Sequence, residues 1–562
     1  MNNNRGVALA LALMSMMLIT TLSAAFVMTA VREKNMADIS VRSAKAMYAA
    51  EAGANAGLLG LSNLINVFML NTVNATNPSV VAANATTYAN TNNGLGLLMT
   101  YVRNNGAALL SQVGSEAQYI GANAVTDNGI TWYVLKIKQK SNPSSPTPNV
   151  WDFPYLYKIE AVGVNGSQLR VVRLNGDFTV RVQKDNFARY ALFTNSQNMP
   201  DGTNVWFTGS ARFAGPLFTN GQYNFAYNPS GTFTDTVKQS ALQARFYNNG
   251  SALLADADAN GSRDVPSFAA GFSRGVTAIA MPTTSDETSV ANEAAGGMTY
   301  SSTGIYVPLT GSTLKGGVYV YGDAAVNLSL DASNRQVITI TQTGGSKTIT
   351  LDRSTNQTLV NASGVTTAYS GLPDGLNNGG TLVYVRGNVT ALSGTVQGDN
   401  QMTISTRNDI VINNNLRYEH YTPASGVLGN ASYVPPSAEG FDNLLGLVSW
   451  QGNARIASTA PNNMDVHATV MAKQGIFTVD NYNSGSPKGV ATVLGGVITN
   501  NYGAFGTFTS STGAISTGYS RNFNYDTRMQ AAMSPPYFPT MNTFIAFTDD
   551  IADKLTWQQG GF

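Results

Sequence analysis

The densest concentration of ligating side chains in this chain is one short stretch, Asp256-Ala257-Asp258-Ala259-Asn260-Gly261-Ser262-Arg263-Asp264. Oxygen-bearing side chains two residues apart converge on one hard cation, and a glycine at the sixth place permits the sharp turn between them. Asp256, Asp258, Asn260, Ser262 and Asp264 are therefore candidate Ca2+ ligands. The twelfth place holds Ser267 where an EF-hand has Glu, so the pattern fits a solvated Asx-rich turn as well. A second group is basic. Lys136, Lys138 and Lys140 are spaced by two and project from one face of a strand, and Arg170, Arg173, Arg181, Lys184 and Arg189 follow. Such a stripe can pair with phosphates without reading sequence, as uptake of arbitrary double-stranded DNA requires. The same charges also suit a solvated strand face. Trp151, Phe153, Tyr155 and Tyr157 lie near it, placed to stack on bases or to pack the sheet.

Catalytic sets are missing. The chain has two histidines, His420 and His467, and no cysteine, which excludes disulfides, iron–sulfur clusters and thiolate zinc sites. No Gly-rich phosphate loop follows a strand and opens a helix. A non-enzymatic protein is expected.

The elements that must carry these groups are mostly strands. Thr131 to Lys140, Tyr155 to Gly163, and Leu169 to Arg173 running on to Val182 alternate polar with apolar residues, as half-buried antiparallel strands do. From Tyr190 onward short β-rich pieces recur between Gly and Asn, and no helix is expected for some 300 residues. Val318-Tyr-Val-Tyr-Gly322 and Val383-Tyr-Val-Arg-Gly387 are near copies. Short strands with Gly/Asn corners suggest a β-solenoid, with a β-sandwich as the alternative.

Before the strands comes a different kind of segment. The 25 residues from Val7 to Val31 carry no charge and would form a helix of roughly 37 Å, long enough to cross a bilayer. No proline occurs before Pro78, so the helix can continue through the alanine-rich stretch Ala44 to Ala56. Charged residues make up 12% of 562 and the net charge is +1, so the surface must be covered largely by neutral polar residues. A chain of this length exceeds one core and calls for two or three domains.

Arg5-Gly6 followed by an apolar helix resembles the class III signal of type IV pilins. That resemblance implies cleavage after Gly6 by a prepilin peptidase and methylation of Val7. An ordinary secretory signal ending at Ser23-Ala24-Ala25 also stays open. Pilins usually carry Glu at the fifth mature residue, where this chain has Leu11. The departure implies a place at the pilus tip, where no neighbour's N-terminal ammonium must be neutralised.

Arg32 to Gly57, with Ala49-Ala50-Glu51-Ala52-Gly53, is similar to minor pilins of the PilX type. Tyr190-Ala-Leu-Phe-Thr-Asn-Ser196, Val205-Trp-Phe-Thr-Gly209, Gly215-Pro-Leu-Phe-Thr-Asn-Gly221, Leu445-Gly-Leu-Val448, Asn524-Tyr-Asp-Thr-Arg528 and Pro535-Pro-Tyr-Phe-Pro539 extend the likeness to competence pilins of the ComZ type. That family combines a pilin module with a large inserted β-solenoid and is implicated in DNA capture.

The expected fold is α+β and mainly β: a long pilin helix packed on an antiparallel sheet, with the β-solenoid inserted. The expected division is a leader at 1–6, a helix at 7–67 that crosses the membrane at 7–31, a globular pilin module at 68–186, a solenoid at 187–522, and a return to the pilin module at 523–562. The expected partners are other pilins, the prepilin peptidase, the inner membrane before assembly, and double-stranded DNA at the cell surface. A tip adhesin or a structural pilus subunit without nucleic-acid binding is the alternative.

Overall fold

The computed structural model describes residues 4–63, 65, 117–120, 124–126, 128–141, 144, 150–207, 212–225, 232–246, 252–253, 266–419, 442–509, 514–531, 533–548 and 556–560. It divides into two compact units, Met1–Gln183 with Thr543–Phe562, and Lys184–Asn542.

The first unit begins with one α-helix, Asn4–Asn63. Ala, Leu and Met dominate it and nothing in it breaks a helix. From Val7 to Val31 every Val, Leu, Ile, Met and Phe side chain is more than half exposed. Further along, Ala46, Ala49, Ala50, Ala54 and Leu61 are fully buried. This part packs on the strands Gly129–Gln139 and Val150–Asn165. Small residues let the backbones meet. A Cβ on Gly163 would lie 2.1 Å from the Ala46 carbonyl oxygen and 2.3 Å from the Ala50 nitrogen, so only glycine fits there.

The sheet beneath runs Ala117–Ile120, Gly129–Gln139, Val150–Asn165, Gln168–Asn186 and Thr540–Thr548, with Ala124–Thr126 and Thr556–Gly560 pairing alongside. Its first four strands are antiparallel neighbours. Alternation sorts the faces: Leu135, Ile137, Phe153, Tyr155, Tyr157 and Ile159 are buried, while Lys138 and Lys158 are exposed.

The second unit is built largely from short parallel pairs. Leu192–Ser196 has Leu217–Thr219 on one side, followed by Val237–Gln239 and Phe272–Ser273. On its other side the order is Val497–Asn501, Thr469–Ala472, Leu444–Ser449, Gln401–Thr406, Thr381–Arg386 and Val318–Tyr321, all parallel. A second sheet repeats that order. Arg212–Ala214 pairs with Thr232–Phe233 on one side and Ile515–Asn524 on the other, followed by Pro487–Leu494, Met464–His467, Ile410–Tyr418, Val389–Val396 and Ala324–Leu330. Gln336–Gln342 opens an antiparallel meander that ends at Val365–Ser370.

Asx side chains hold one corner of this stack in step. Asp323 Oδ1 accepts the Asn388 N–H at 2.7 Å, Asn388 Oδ1 accepts that of Asp409 at 3.2 Å, Asp409 Oδ1 that of Asn453 at 2.8 Å, and Asn453 Oδ1 that of Ile476 at 2.9 Å. Inside, rings from successive strands stack: Phe213 on Phe233 at 5.7 Å and Phe233 on Phe268 at 5.5 Å between centroids.

Two features differ from the sequence expectation. A helix, Thr284–Ala295, lies within the stretch read as helix-free. Asp286 accepts the Thr283 backbone N–H at 2.6 Å at its start, and Gly296 at φ 63° ends it. The chain also returns to the first unit at Thr543, twenty residues beyond the expected 523. Tyr525 and Phe538 are buried in the second unit's core, and Tyr537 packs against it.

Candidate nucleic-acid interface

The register of the first unit's sheet decides which charges share a face. Lys136 stands opposite Lys158, and Lys138 opposite Leu156. Across the next ladder Glu160 faces Arg173, Leu156 faces Asp177, and Asp152 faces Arg181. Directly opposed residues lie on one side of a sheet, so these side chains form one outer surface. It holds Lys136, Lys138, Lys140, Lys158, Arg173 and Arg181 against Asp152, Glu160 and Asp177, which leaves a positive balance among the described residues.

Much of that charge is already engaged. Arg181 makes a forked pair with Asp152 at 2.6 and 2.7 Å. Arg173 Nε lies 3.0 Å from Glu160 Oε2, and Lys158 Nζ is 3.6 Å from the same oxygen. The hydrogen bond from Arg173 holds the Glu160 carboxyl below its ordinary range, so it is ionised at neutral pH. Lys140 pairs with Asp177. Lys138 is exposed.

The other basic residues go elsewhere. Arg170 reaches the helix side, donating to Ser43 Oγ and, at 2.9 Å, to the Leu169 carbonyl. Lys184 and Arg189 belong to the second unit. Arg189 pairs with Asp185, whose carboxyl is pushed up by burial against the pull of the guanidinium. The sequence missed Lys158 and the three carboxylates, although their two-residue spacing on the partner strands marked them as outward-facing.

Three of the four aromatic residues read as possible base-stacking platforms are core, and the Trp151 side chain lies outside the described residues. Phe153, Tyr155 and Tyr157 are at most 3% exposed, and Tyr155 stacks on Phe178 at 5.3 Å. They pack the sheet because they alternate with the charged positions and so fall on its inner face.

Gly6 and Val7 lie in the first turns of the long helix, with Val7 60% exposed and open space around Gly6. The Asp256, Asp258, Asn260, Ser262 and Asp264 stretch lies outside the described residues. Among the described residues no group of three or more His, Asp or Glu could hold a metal ion. His467 is fully buried, with Nδ1 accepting the Tyr418 backbone N–H at 3.0 Å. Burial pushes its pKa down to about 3, so it is a neutral core residue and cannot serve as a base near neutral pH.

A family model described as "Domain of unknown function (DUF4900)" matches residues 152–241. No curated protein sequence matches the chain. Among solved structures the chain is similar to one described as the crystal structure of competence-associated pilin ComZ from Thermus thermophilus. That likeness has 12% identity and a TM-score of 0.29, and it covers 92% of this chain and 98% of that one. No residue role is carried across from it.

Proposed function

We propose that the chain is a non-enzymatic minor pilin of a type IV pilus, anchored in the inner membrane by its N-terminal helix before assembly and carried at the pilus tip afterwards. The observation behind this reading is the division of one helix. Val7 to Val31 exposes all its large apolar side chains, whereas Ala46, Ala49, Ala50, Ala54 and Leu61 are sealed on the antiparallel sheet. An apolar cylinder of that length cannot stay in water and needs lipid or other apolar helices around it. The only candidate membrane span among the described residues is this helix. Processing by a prepilin peptidase would make Val7 the mature N-terminus. Mass spectrometry of the mature chain is the test: methylated Val7 is expected, and a start at Phe26 would overturn the reading.

In this proposal the second unit is a β-solenoid displayed outward. Its parallel ladders step from coil to coil in chain order from Val318–Tyr321 to Val497–Asn501, and the second sheet keeps the same order. The surface proposed to bind double-stranded DNA is the outer sheet face around Lys136, Lys138 and Lys158. Charge reversal at these three positions in the full chain, solubilised in detergent, should weaken DNA retardation by at least about tenfold. It should also flatten the fall of log K with log salt, because each phosphate contact adds nearly one unit of slope.

A second reading, a tip adhesin without a nucleic-acid role, is favoured by Asp152, Glu160 and Asp177 engaging the basic stripe. Salt-insensitive or absent retardation would select it.

A further inference from the structure

We propose that the second unit binds a small organic anion, a carboxylate or phosphate carried on an apolar body of one or two rings, in a cavity of about 510 Å³ lined by residues from 199–213 and 482–521. The inference is independent of the DNA reading, which concerns the first unit. A volume of this size is in the range of small-molecule sites.

The surface open to a ligand is largely apolar. Met199, Val205, Trp206 and Ile515 are partly exposed in the wall, and Phe508 is 39% exposed. Tyr502 and Phe505 are sealed and offer no contact surface of their own. They carry Arg521 instead, whose guanidinium lies over their rings at 4.8 and 5.1 Å. Nη2 donates to the Gly503 carbonyl at 2.8 Å, and Nε is buried. Nη1 donates to no described residue and, unlike Nε, keeps accessible surface. The guanidinium is thus held in place with one nitrogen unused.

Charge selects the chemical class. Arg521 is the only charged side chain in the lining among the described residues, and no carboxylate accompanies it. Arg417 and Arg455, on other strands of the same sheet, each have an aspartate, Asp465 at 2.7 Å and Asp480 at 2.8 Å. A partly buried guanidinium has given up part of its hydration shell, so an anion at the unused nitrogen is favoured. A cation is repelled there. The apolar wall supplies the rest of the affinity: an anion without an apolar body leaves the wall wet, and an apolar body without charge leaves Nη1 unpaired.

The test uses the full chain solubilised in an uncharged detergent, with empty micelles as the blank. Four probes are titrated by calorimetry: 2-naphthoate, 2-naphthyl phosphate, 2-naphthamide, which has the same body without the charge, and acetate, which has the charge without the body. At least one naphthyl anion should bind saturably with submillimolar affinity, and the tighter of the two tells carboxylate from phosphate as the preferred head. The amide should bind at least about tenfold more weakly, and acetate not measurably. Arg521→Gln keeps a long polar side chain and removes the charge. It should weaken the better naphthyl anion by about tenfold or more and leave the amide unchanged, which separates loss of charge from loss of the fold. Ile515→Trp fills the cavity from its wall and should weaken anion and amide alike. Binding of neither anion, amide binding as tight as that of the better anion, or unchanged anion affinity in either variant would overturn the proposal.

Discussion

The two units hide apolar surface by different rules. In the first, one sheet face is apolar and the other charged: Leu135, Ile137 and Ile159 point inward, while Lys136, Lys158 and Glu160 share the outer face. Its closest packing, helix on strand, is made by alanine and glycine. In the second unit strands such as Leu444–Ser449 and Gln401–Thr406 are buried almost throughout, and polar groups are carried inside, Thr406 and Ser449 donating to neighbouring backbone carbonyls. A half-exposed sheet tolerates charge by turning it outward, but a stack buried on both faces meets a cost for each polar atom left without an internal partner. Perturbations should therefore be costliest where the second unit buries charge and milder where the first places it at the surface.

The largest effect is expected at the ion pair of Arg528 and Asp526, whose side chains are 8% and 0% exposed. Arg528 donates to both Asp526 oxygens, at 2.9 and 2.6 Å, and lies over the Tyr418 ring at 5.3 Å. Arg528→Met strands a buried carboxylate and should cost about 3–5 kcal/mol, whereas Arg528→Met with Asp526→Leu should recover most of it. Denaturant unfolding of the single and double variants checks this. An equal loss in both would mean that packing, and not charge, holds the site. By contrast, Arg181→Met at the exposed pair with Asp152 should cost less than about 1 kcal/mol.

The next effect belongs to the first unit. Gly163→Ala puts a methyl against helix backbone that cannot yield as a side chain would. A loss of about 1–3 kcal/mol is expected, read as a lower thermal midpoint of that unit. An unchanged midpoint would show that the helix seats more loosely than its buried alanines imply.

The difference between the units also decides how much of each is legible in the sequence. The long helix is plain from its uncharged span and lack of proline, and Gly129–Gln139 from its alternation. The near copies at Val318 and Val383 become neighbours in register, with Val318 beside Val383 and Tyr319 beside Tyr384. A repeat in the chain is thus a step in the stack. Partners across strands are not legible in this way. Nothing local to Arg181 shows that Asp152 stands opposite, because register depends on the whole ladder. Likewise, Tyr525 and Phe538 announce burial by their type but not the core that takes them. Helix Thr284–Ala295 was signalled by Thr283, Asp286 and Gly296 but has only three turns and few strong helix formers to reveal it.

A smaller effect within the second unit tests whether the corner ladder or the buried strands keep that unit in step. Asn453 accepts the Ile476 N–H and donates its own N–H to Asp409, so Asn453→Ala removes one acceptor and leaves the rest of the corner standing. About 1 kcal/mol should be lost, and Asn453→Asp, which keeps the acceptor, should lose less. Amide exchange at Ile476 is the sharper measurement, since its protection should fall about fivefold in the alanine variant while Val470, deep in the parallel sheet, stays unchanged. If both amides exchange faster together, the corner and the sheet open as one unit, and the ladder sets register for the whole stack instead of closing a local turn.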